Sequence, residues 1–471
     1  MGFVFWIVVF AIILFLRVFI RNKMMKYIPT YPTRSPPDAD PVFSSQFLFG
    51  VASSAFQVES NVPPSNWHIW SQKMNENGQP CCPDDRIKCD GFSRYLTDAE
   101  LAQSIGCQVY RFSVSWSRLN PSPGHFDKDA LLVYRSMCIK LRSLGIEPLV
   151  TLWHFEHPSW LEERGSVAGN EFVSKFSDFA DFTVSGLYDV CSYYHTVNEP
   201  VGFVAASYLG GVHPPGKGSL SDAFKAIVNL MKCHAIAYQI IHRMNPNSKV
   251  SFAKSIVPFV PRHASSFFET VLSHILNQYN RIGLESANTG FVKFLWMKEE
   301  VPGLKNSLDF ISINHYYVQF ISYDWREWSI VGGKKLPFMT YGERNLPISD
   351  IGWGLIPGSL AGVTKWVNDT LNPQKLGIMI TEHGIADKDD HRRQWFLKES
   401  LQHLSQLNAE RVPLLGYLHW SITDNYEWTE GTSKRFGLFE VDYCTQNRKK
   451  RLSAELYQRI IESHKTRTSF R

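Results

Sequence analysis

Two glutamates stand near the ends of strand-like apolar segments: Glu199 in SYYHTVNEP (192–200) and Glu382 in LGIMITEHG (376–384). Two carboxylates that face one cavity are the minimal apparatus for breaking or remaking a glycosidic bond. A carboxylate placed directly before a helix can instead cap that helix. For either segment alone, catalysis and helix capping both remain possible. The secondary-structure elements around the two glutamates distinguish these interpretations.

From residue 45 onward, short apolar runs alternate with longer amphipathic segments. The predicted strands are 46–53, 108–116, 147–153, 192–198, 249–255, 308–316, 376–382 and 414–421. The predicted helices are 92–105, 128–144, 170–189, 222–244, 265–286, 357–370, 390–411 and 452–464. This eightfold alternation predicts an α/β fold, a single (β/α)8 TIM barrel over residues 45–471. The stretch 317–355, rich in Gly, Trp and Tyr, is predicted to be a large loop after the sixth strand.

Polar and aromatic side chains recur where the predicted strands end. Besides the two glutamates they are Gln57, Arg111, Trp116, Trp153, His154, Asn198, Asn314, His315, Tyr316, Trp420, Asp424, Glu427 and Trp428. Ordinary strand ends carry Gly, Asn and Asp turn residues without this bias. Taken singly, Arg111 also fits a buried ion-pair partner, and Tyr316 and Trp428 fit barrel packing. The set as a whole predicts a sugar-sized polar pocket at one edge of the barrel.

Seven segments carry a resemblance to a known family. They are FLFGVASSAFQVE (47–59), YRFSVSWSR (110–118), TLWHFEHPSWL (151–161), TVNEP (196–200), DFISINHYY (309–317), ITEHG (380–384) and HWSITDNYEW (419–428), which RFGLFEVD (435–442) follows. In this order they resemble family 1 glycoside hydrolases, the β-glucosidase and β-galactosidase family, over about residues 45–464.

The resemblance implies a role for each residue of the set. Glu199 would be the general acid/base, with a raised pKa, and Glu382 the nucleophile that forms a glycosyl-enzyme. Arg111 and Tyr316 would hold Glu382, and Asn198 would bind the sugar 2-hydroxyl. The remaining substrate-binding residues would be Gln57, His154, Asn314, Trp420, Glu427 and Trp428. No cofactor is implied.

One position departs from the family pattern, since His383 follows the nucleophile where relatives usually carry Asn. We expect an altered pH dependence there rather than lost chemistry. The pair Glu427-Trp428 favours an unphosphorylated glycone, because relatives that act on 6-phosphorylated sugars usually have smaller or basic groups at these positions.

The first residues are predicted to lie outside the globule. An apolar run, 3–16, is interrupted by Arg17 and extended by 18–20, and the basic residues Arg21, Lys23 and Lys26 follow. Residues 1–27 are therefore predicted to be a single-pass transmembrane anchor with its basic flank, and the charge order predicts a cytosol-facing catalytic domain. A cleaved signal, which would give a secreted or lumenal protein, is the alternative. Residues 28–44 are predicted to form a stiff, Pro-rich tether.

Composition excludes several other classes of protein. Hydrophobic residues at 44% and charged residues at 20% indicate a folded chain, and a net charge of +5 is too small to indicate a nucleic-acid partner. The eight Cys show no metal-ligand spacing, so we expect no metal site. Cys107, Cys138, Cys191 and Cys233 are predicted to be buried thiols. A disulfide is predicted only within the group Cys81, Cys82 and Cys89, and Asn368 begins a glycosylation sequon.

Three functions follow in order of preference. The first is a retaining β-glycosidase that hydrolyses terminal β-D-glucosyl or β-D-galactosyl residues. The second is a membrane glycolipid transglycosylase, because the C-terminal motif and the anchor resemble the branch that contains the plant galactolipid galactosyltransferase. The third, a sugar-binding receptor without turnover, is disfavoured because both glutamates are present.

Overall fold

The computed structural model describes residues 28–469, apart from 33, 37–38, 76–77, 85, 87, 325–327, 332–333, 338 and 341–345, and the isolated positions 18 and 24. The predicted membrane anchor, 1–27, therefore lies outside the described residues except for Val18 and Met24. Within the described part of the chain, no helix combines the length and the apolar character needed to cross a bilayer.

Eight parallel strands close into a barrel. They are β1 (Leu48–Ala52), β2 (Val109–Ser113), β3 (Glu147–Trp153), β4 (Tyr193–Asn198), β5 (Lys249–Ser255), β6 (Ile311–Asn314), β7 (Ile378–His383) and β8 (Leu414–Trp420). Neighbours in sequence are neighbours in the sheet, and β1 pairs with both β2 and β8 to complete the ring. The predicted TIM barrel is confirmed, with strand bounds within a few residues of the prediction.

A long helix follows each strand and covers the outside of the barrel. The helices are α1 (Tyr95–Ser104), α2 (Lys128–Ser143), α3 (Phe172–Ser185), α4 (Leu220–Met244), α5 (Phe267–Arg281), α6 (Ser359–Thr370), α7 (His391–Gln406) and α8 (Leu452–Ser469). The single helix predicted over 265–286 is interrupted. After α5 the chain turns at Gly283, whose φ of 92° suits glycine, and a short helix, Leu284–Thr289, follows.

Shorter elements fill the connections. The short helices are Ala55–Val58, Asn66–Gln72, Trp116–Leu119, Ser159–Glu163, Ser166–Ala168, Pro200–Val204, Ala205–Leu209 and Trp428–Ser433. The remaining strands are Phe259–Pro261, Phe291–Phe294, Met297–Glu300, Gln319–Ile321, Trp328–Val331, Lys334–Pro337, Met339–Thr340, Phe439–Val441 and Arg448–Lys450. The predicted loop 317–355 thus contains four short strands, because local pairing satisfies its backbone groups.

The described residues of the predicted tether lie against the barrel. Ile28 is buried against Val260, Val318 and Phe320. Farther along, the Ala39 carbonyl accepts a hydrogen bond from Gln402 at 2.6 Å. A side chain at Gly362 would come within 2.1 Å of the Thr30 carbonyl oxygen, so glycine is what lets the segment approach α6.

The disulfide expected within the group Cys81, Cys82 and Cys89 does not form. All eight cysteines are free thiols, including Cys81, Cys82 and Cys89, and the Cys89 thiol donates to the Asp424 carbonyl at 2.6 Å. The predicted thiols Cys107, Cys138, Cys191 and Cys233 are buried as expected. The sequon residue Asn368 lies within α6 and is only 9% exposed, which makes it a poor acceptor for a glycan.

Candidate active site

Glu199 is the first residue after β4, and its backbone has an unusual conformation. Its φ of 40° and ψ of 55° are left-handed, a region that few residues other than glycine occupy. Its amide N–H donates to the Ala253 carbonyl at 2.8 Å. The side chain makes no capping bond to the helix that follows. The alternative interpretation of Glu199 as a helix cap therefore fails, and the carboxylate is turned toward the barrel mouth.

Glu382 lies within β7 and is held by two donors. The buried Arg111 guanidinium pairs with one carboxylate oxygen, and the Tyr316 hydroxyl donates to the other at 2.6 Å. Arg111 therefore does form a buried ion pair, and the carboxylate in that pair belongs to Glu382, the predicted nucleophile. The two donors compensate the negative charge and fix the orientation of the carboxylate.

A polar network joins the two glutamates. The Asn314 side-chain amide donates to Glu199 Oε1 at 2.8 Å and to Asn198 Oδ1 at 3.2 Å. Arg111 donates to the same Asn198 oxygen at 2.6 Å and also pairs with Glu382. Both carboxylates therefore belong to one site at the carboxyl edge of the barrel.

The predicted sugar-binding residues line the same site. The Gln57 amide donates to Glu427 at 3.2 Å. His154 Nε2 lies 3.1 Å from the Asn198 amide nitrogen. The His154 ring is 6.0 Å from the ring of Trp420 and 6.0 Å from that of Trp428. The structure thus brings together the two glutamates, Arg111 and the eight predicted substrate-binding residues, with polar groups and indole rings that suit a pyranose. Four other residues of the strand-end set pack or pair elsewhere: Trp116, Trp153, His315 and Asp424.

Burial and mutual repulsion set the protonation of the carboxyl groups. Burial, and next the charge of Glu382, raise the pKa of Glu199 to about 7. The same two causes raise the pKa of Glu427 to about 8. A carboxyl group that keeps its proton near neutral pH is suited to donate it to a leaving oxygen.

One charged residue beside Glu199 was not predicted. Lys254 on β5 is buried, and its ammonium donates to the Ser255 carbonyl at 2.7 Å and lies 4.8 Å from the Tyr279 ring centroid. Burial lowers the pKa of Lys254 to about 7, while the charge of Glu199 opposes that shift. The signal in the sequence was a lysine inside the strand KVSFAKS, where an apolar or small residue is usual.

Glu199 should set the alkaline limit of activity, and Lys254 should shift that limit. Because Glu199 must be protonated to act as an acid, kcat/KM should fall as the pH rises through about 7. The positive charge of Lys254 lowers the pKa of Glu199. Lys254→Met removes that charge, so the pKa of Glu199 should rise and the alkaline limb should move up by about one pH unit. A pH profile of kcat/KM measures this. Lys249→Met, at the exposed start of the same strand, is the control. An unchanged limb in Lys254→Met would refute the coupling.

His383 lies behind the nucleophile rather than in the pocket. Its Nδ1 is 2.9 Å from the Tyr417 hydroxyl, and its ring stacks on Phe396 at 4.9 Å. Burial holds the pKa of His383 well below its usual range, so the ring is neutral. The altered pH dependence stays a prediction. The next residue is glycine because a Cβ at Gly384 would come within 1.9 Å of the Trp420 carbonyl oxygen.

Among the residues that the structure describes, no group of three or more His, Cys, Asp or Glu side chains is placed to hold a metal ion.

Comparisons with known proteins identify the family to which this chain belongs. The sequence model of glycosyl hydrolase family 1 matches residues 39–466. Beta-glucosidase A of Thermotoga maritima is 28% identical over 90% of this chain and 98% of its own. The β-galactosidase of Sulfolobus acidocaldarius is 28% identical over 90% and 95%. The structure of a β-glycosidase from Pyrococcus horikoshii superposes with a TM-score of 0.80 at 30% identity, over 90% of this chain and 96% of that one. The chain belongs to glycosyl hydrolase family 1, and it is a β-glycosidase of the retaining type.

Proposed function

We propose that Glu382 and Glu199 carry out a double displacement on terminal β-D-glucosides or β-D-galactosides. Glu382 attacks the anomeric carbon while Glu199 gives its proton to the leaving oxygen, which breaks the glycosidic bond and forms a glycosyl-enzyme. Glu199, now a carboxylate, takes a proton from water as that water attacks the anomeric carbon and frees Glu382. The observation that carries the proposal is the hydrogen-bonded network that runs from Glu199 to Asn314, Asn198, Arg111 and Glu382.

The residues around this pair support an unphosphorylated glycone. Gln57 and Glu427 are hydrogen-bonded to one another and offer a donor and an acceptor to sugar hydroxyl groups. The rings of Trp420 and Trp428 offer apolar faces. A sugar phosphate beside Glu427 would add negative charge to a buried site in which the charge of Glu382 already raises the pKa values of its neighbours, and this disfavours it.

The second candidate function is transfer of the glycosyl group to a membrane glycolipid. The position of Ile28 favours this transfer function. Ile28 packs against the paired short strands Phe259–Pro261 and Gln319–Ile321, which lie just beyond the carboxyl ends of β5 and β6. A membrane anchor over 1–27 would therefore join the protein at its catalytic end. We place the anchor in a bilayer with the barrel on the cytosolic side, on the strength of Arg21, Lys23 and Lys26 after the apolar run.

One assay with two substrates separates these functions. Full-length protein in vesicles is expected to release nitrophenol from nitrophenyl β-glucoside or β-galactoside. With galactolipid in the vesicles, free galactose supports hydrolysis and oligogalactolipid supports transfer. Binding of both aryl glycosides without release of nitrophenol would contradict an enzyme and indicate a receptor.

A further inference from the structure

Helix α5 turns its polar side toward the protein. Its buried residues are Glu269, Thr270, Ser273, Asn277 and Asn280. A helix at a protein surface ordinarily buries its apolar stripe and exposes its polar one. Helix α5 instead buries polar residues and exposes apolar ones.

The buried polar residues are there to pair with the backbone. The Asn280 amide group accepts from the Val257 N–H at 3.0 Å and donates to the Val257 carbonyl at 2.7 Å. Asn277 makes the same pair of bonds with Phe259, at 3.2 and 2.5 Å. Buried backbone groups outside a sheet need such partners. The inner face of α5 is therefore accounted for by the loop after β5.

The outer face is apolar over two turns. Phe268 is 52% exposed and Ile275 is 54% exposed, and their spacing of seven residues places them on one stripe. Val271, Leu272 and Leu276 lie between or beside them and are partly exposed. Single exposed apolar residues are common, but a continuous stripe marks a contact surface.

The neighbourhood of α5 indicates what covers this stripe. α5 bonds to Phe259, in the strand Phe259–Pro261 on which the buried Ile28 rests. Ile28, the residue that directly follows the predicted anchor in the chain, therefore lies beside the strand that α5 contacts. At the other end of the helix, Tyr279 faces Lys254, close to Glu199. The stripe thus lies between Ile28, to which the predicted anchor leads, and the catalytic pocket.

We propose that the outer face of α5 lies on the surface of a lipid bilayer and holds the catalytic end of the barrel against it. A helix with an apolar stripe can lie in the interface with that stripe among the lipid chains. This inference rests on the proposed membrane anchor and not on the roles of Glu199 and Glu382. Its consequence is that a glycolipid in the same bilayer has its sugar presented beside the pocket.

Fluorescent labelling tests the contact directly. Full-length protein, with Cys81 and Cys444 replaced by Ser, receives a single label at Phe268→Cys, Ile275→Cys or Leu132→Cys. Leu132 is 57% exposed on α2 and serves as the matched control. In vesicles that contain spin-labelled lipid, we expect the fluorescence at positions 268 and 275 to fall about twofold and that at 132 to stay constant.

Other outcomes would overturn the proposal. One is protein that floats with the vesicles while the labels at 268 and 275 are not quenched. Equal quenching at all three positions, or failure of the protein to float, would also reject it. If iodide fails to quench the label at 275 before lipid is added, the outer face of α5 is already covered. That result would also reject the bilayer contact, and it would mean that another part of this chain or a second copy covers the face.

A substitution separates this surface from the catalytic assignment. Ile275→Glu is expected to slow turnover of a galactolipid in vesicles about tenfold, since a charge replaces an apolar group in the bilayer. Its rate on a soluble nitrophenyl glycoside should equal that of the wild type, as should both rates of Leu132→Glu. Equal rates of Ile275→Glu and wild type on the vesicle substrate would overturn the contact. Loss of aryl glycoside turnover in the wild type would instead count against the proposed function.

Discussion

Glu382→Gln is expected to abolish the release of nitrophenol from aryl β-glycosides. The change keeps the shape of the side chain but removes the nucleophilic oxygen and the charge that Arg111 compensates. We expect kcat to fall on the order of 10⁶-fold, the size of loss that follows removal of a covalent nucleophile. Steady-state release of nitrophenol measures it.

The control for this variant is a glutamate of the same type far from the site. Glu440→Gln, on the exposed side of the strand Phe439–Val441, should keep the wild-type rate. The melting temperature of Glu382→Gln should show that the barrel is folded. A folded Glu382→Gln that retains a tenth or more of the activity would mean that another group attacks the sugar.

Glu199→Ala is expected to lose activity in a way that depends on the leaving group. Removal of a general acid/base costs about 10²–10⁴-fold for substrates whose leaving oxygen needs a proton. A dinitrophenyl glycoside, which leaves without a proton, should form the glycosyl-enzyme rapidly and then stall. Rates on nitrophenyl and dinitrophenyl glycosides, compared between wild type and variant, measure the difference.

Azide supplies the control for Glu199→Ala. A small anion can enter the space left by the carboxylate and attack the glycosyl-enzyme without base assistance. We expect azide to restore turnover of the dinitrophenyl glycoside and to give a β-glycosyl azide. An α-glycosyl azide, or a loss of activity that is equal for both leaving groups, would place the acid/base elsewhere.

The barrel and its site could be predicted from the sequence because both depend on local signals. Each strand is a short apolar run with polar or aromatic residues at or soon after its end, and parallel strands place these ends at one edge. Glu199 and Glu382 were therefore assigned to one cavity without knowledge of any contact between them. The hydrogen bonds through Asn314 and Asn198 give the physical basis of that assignment.

Other features could not be predicted because they depend on contacts between distant segments. The apolar period of α5 predicts a helix, but only the backbone needs of Val257 and Phe259 turn its polar side inward. Lys254 is a buried charge in a strand without a sequence-near partner, and only the pairing of β4 with β5 places Glu199 beside it. The path of residues 28–44 is likewise determined by partners such as Gln402, far along the chain.

The most direct test of the account is to trap the glycosyl-enzyme with a 2-deoxy-2-fluoroglycoside that carries a good leaving group. The electron-withdrawing fluorine slows hydrolysis of the intermediate, so the covalent adduct should accumulate and can be located by peptide mass mapping. The predicted result is one fluoroglycosyl group per chain, attached to Glu382. A label on Glu199 or Glu427, the other two carboxyl groups of the pocket, or turnover of an unmodified substrate without any trapped adduct, would contradict the account.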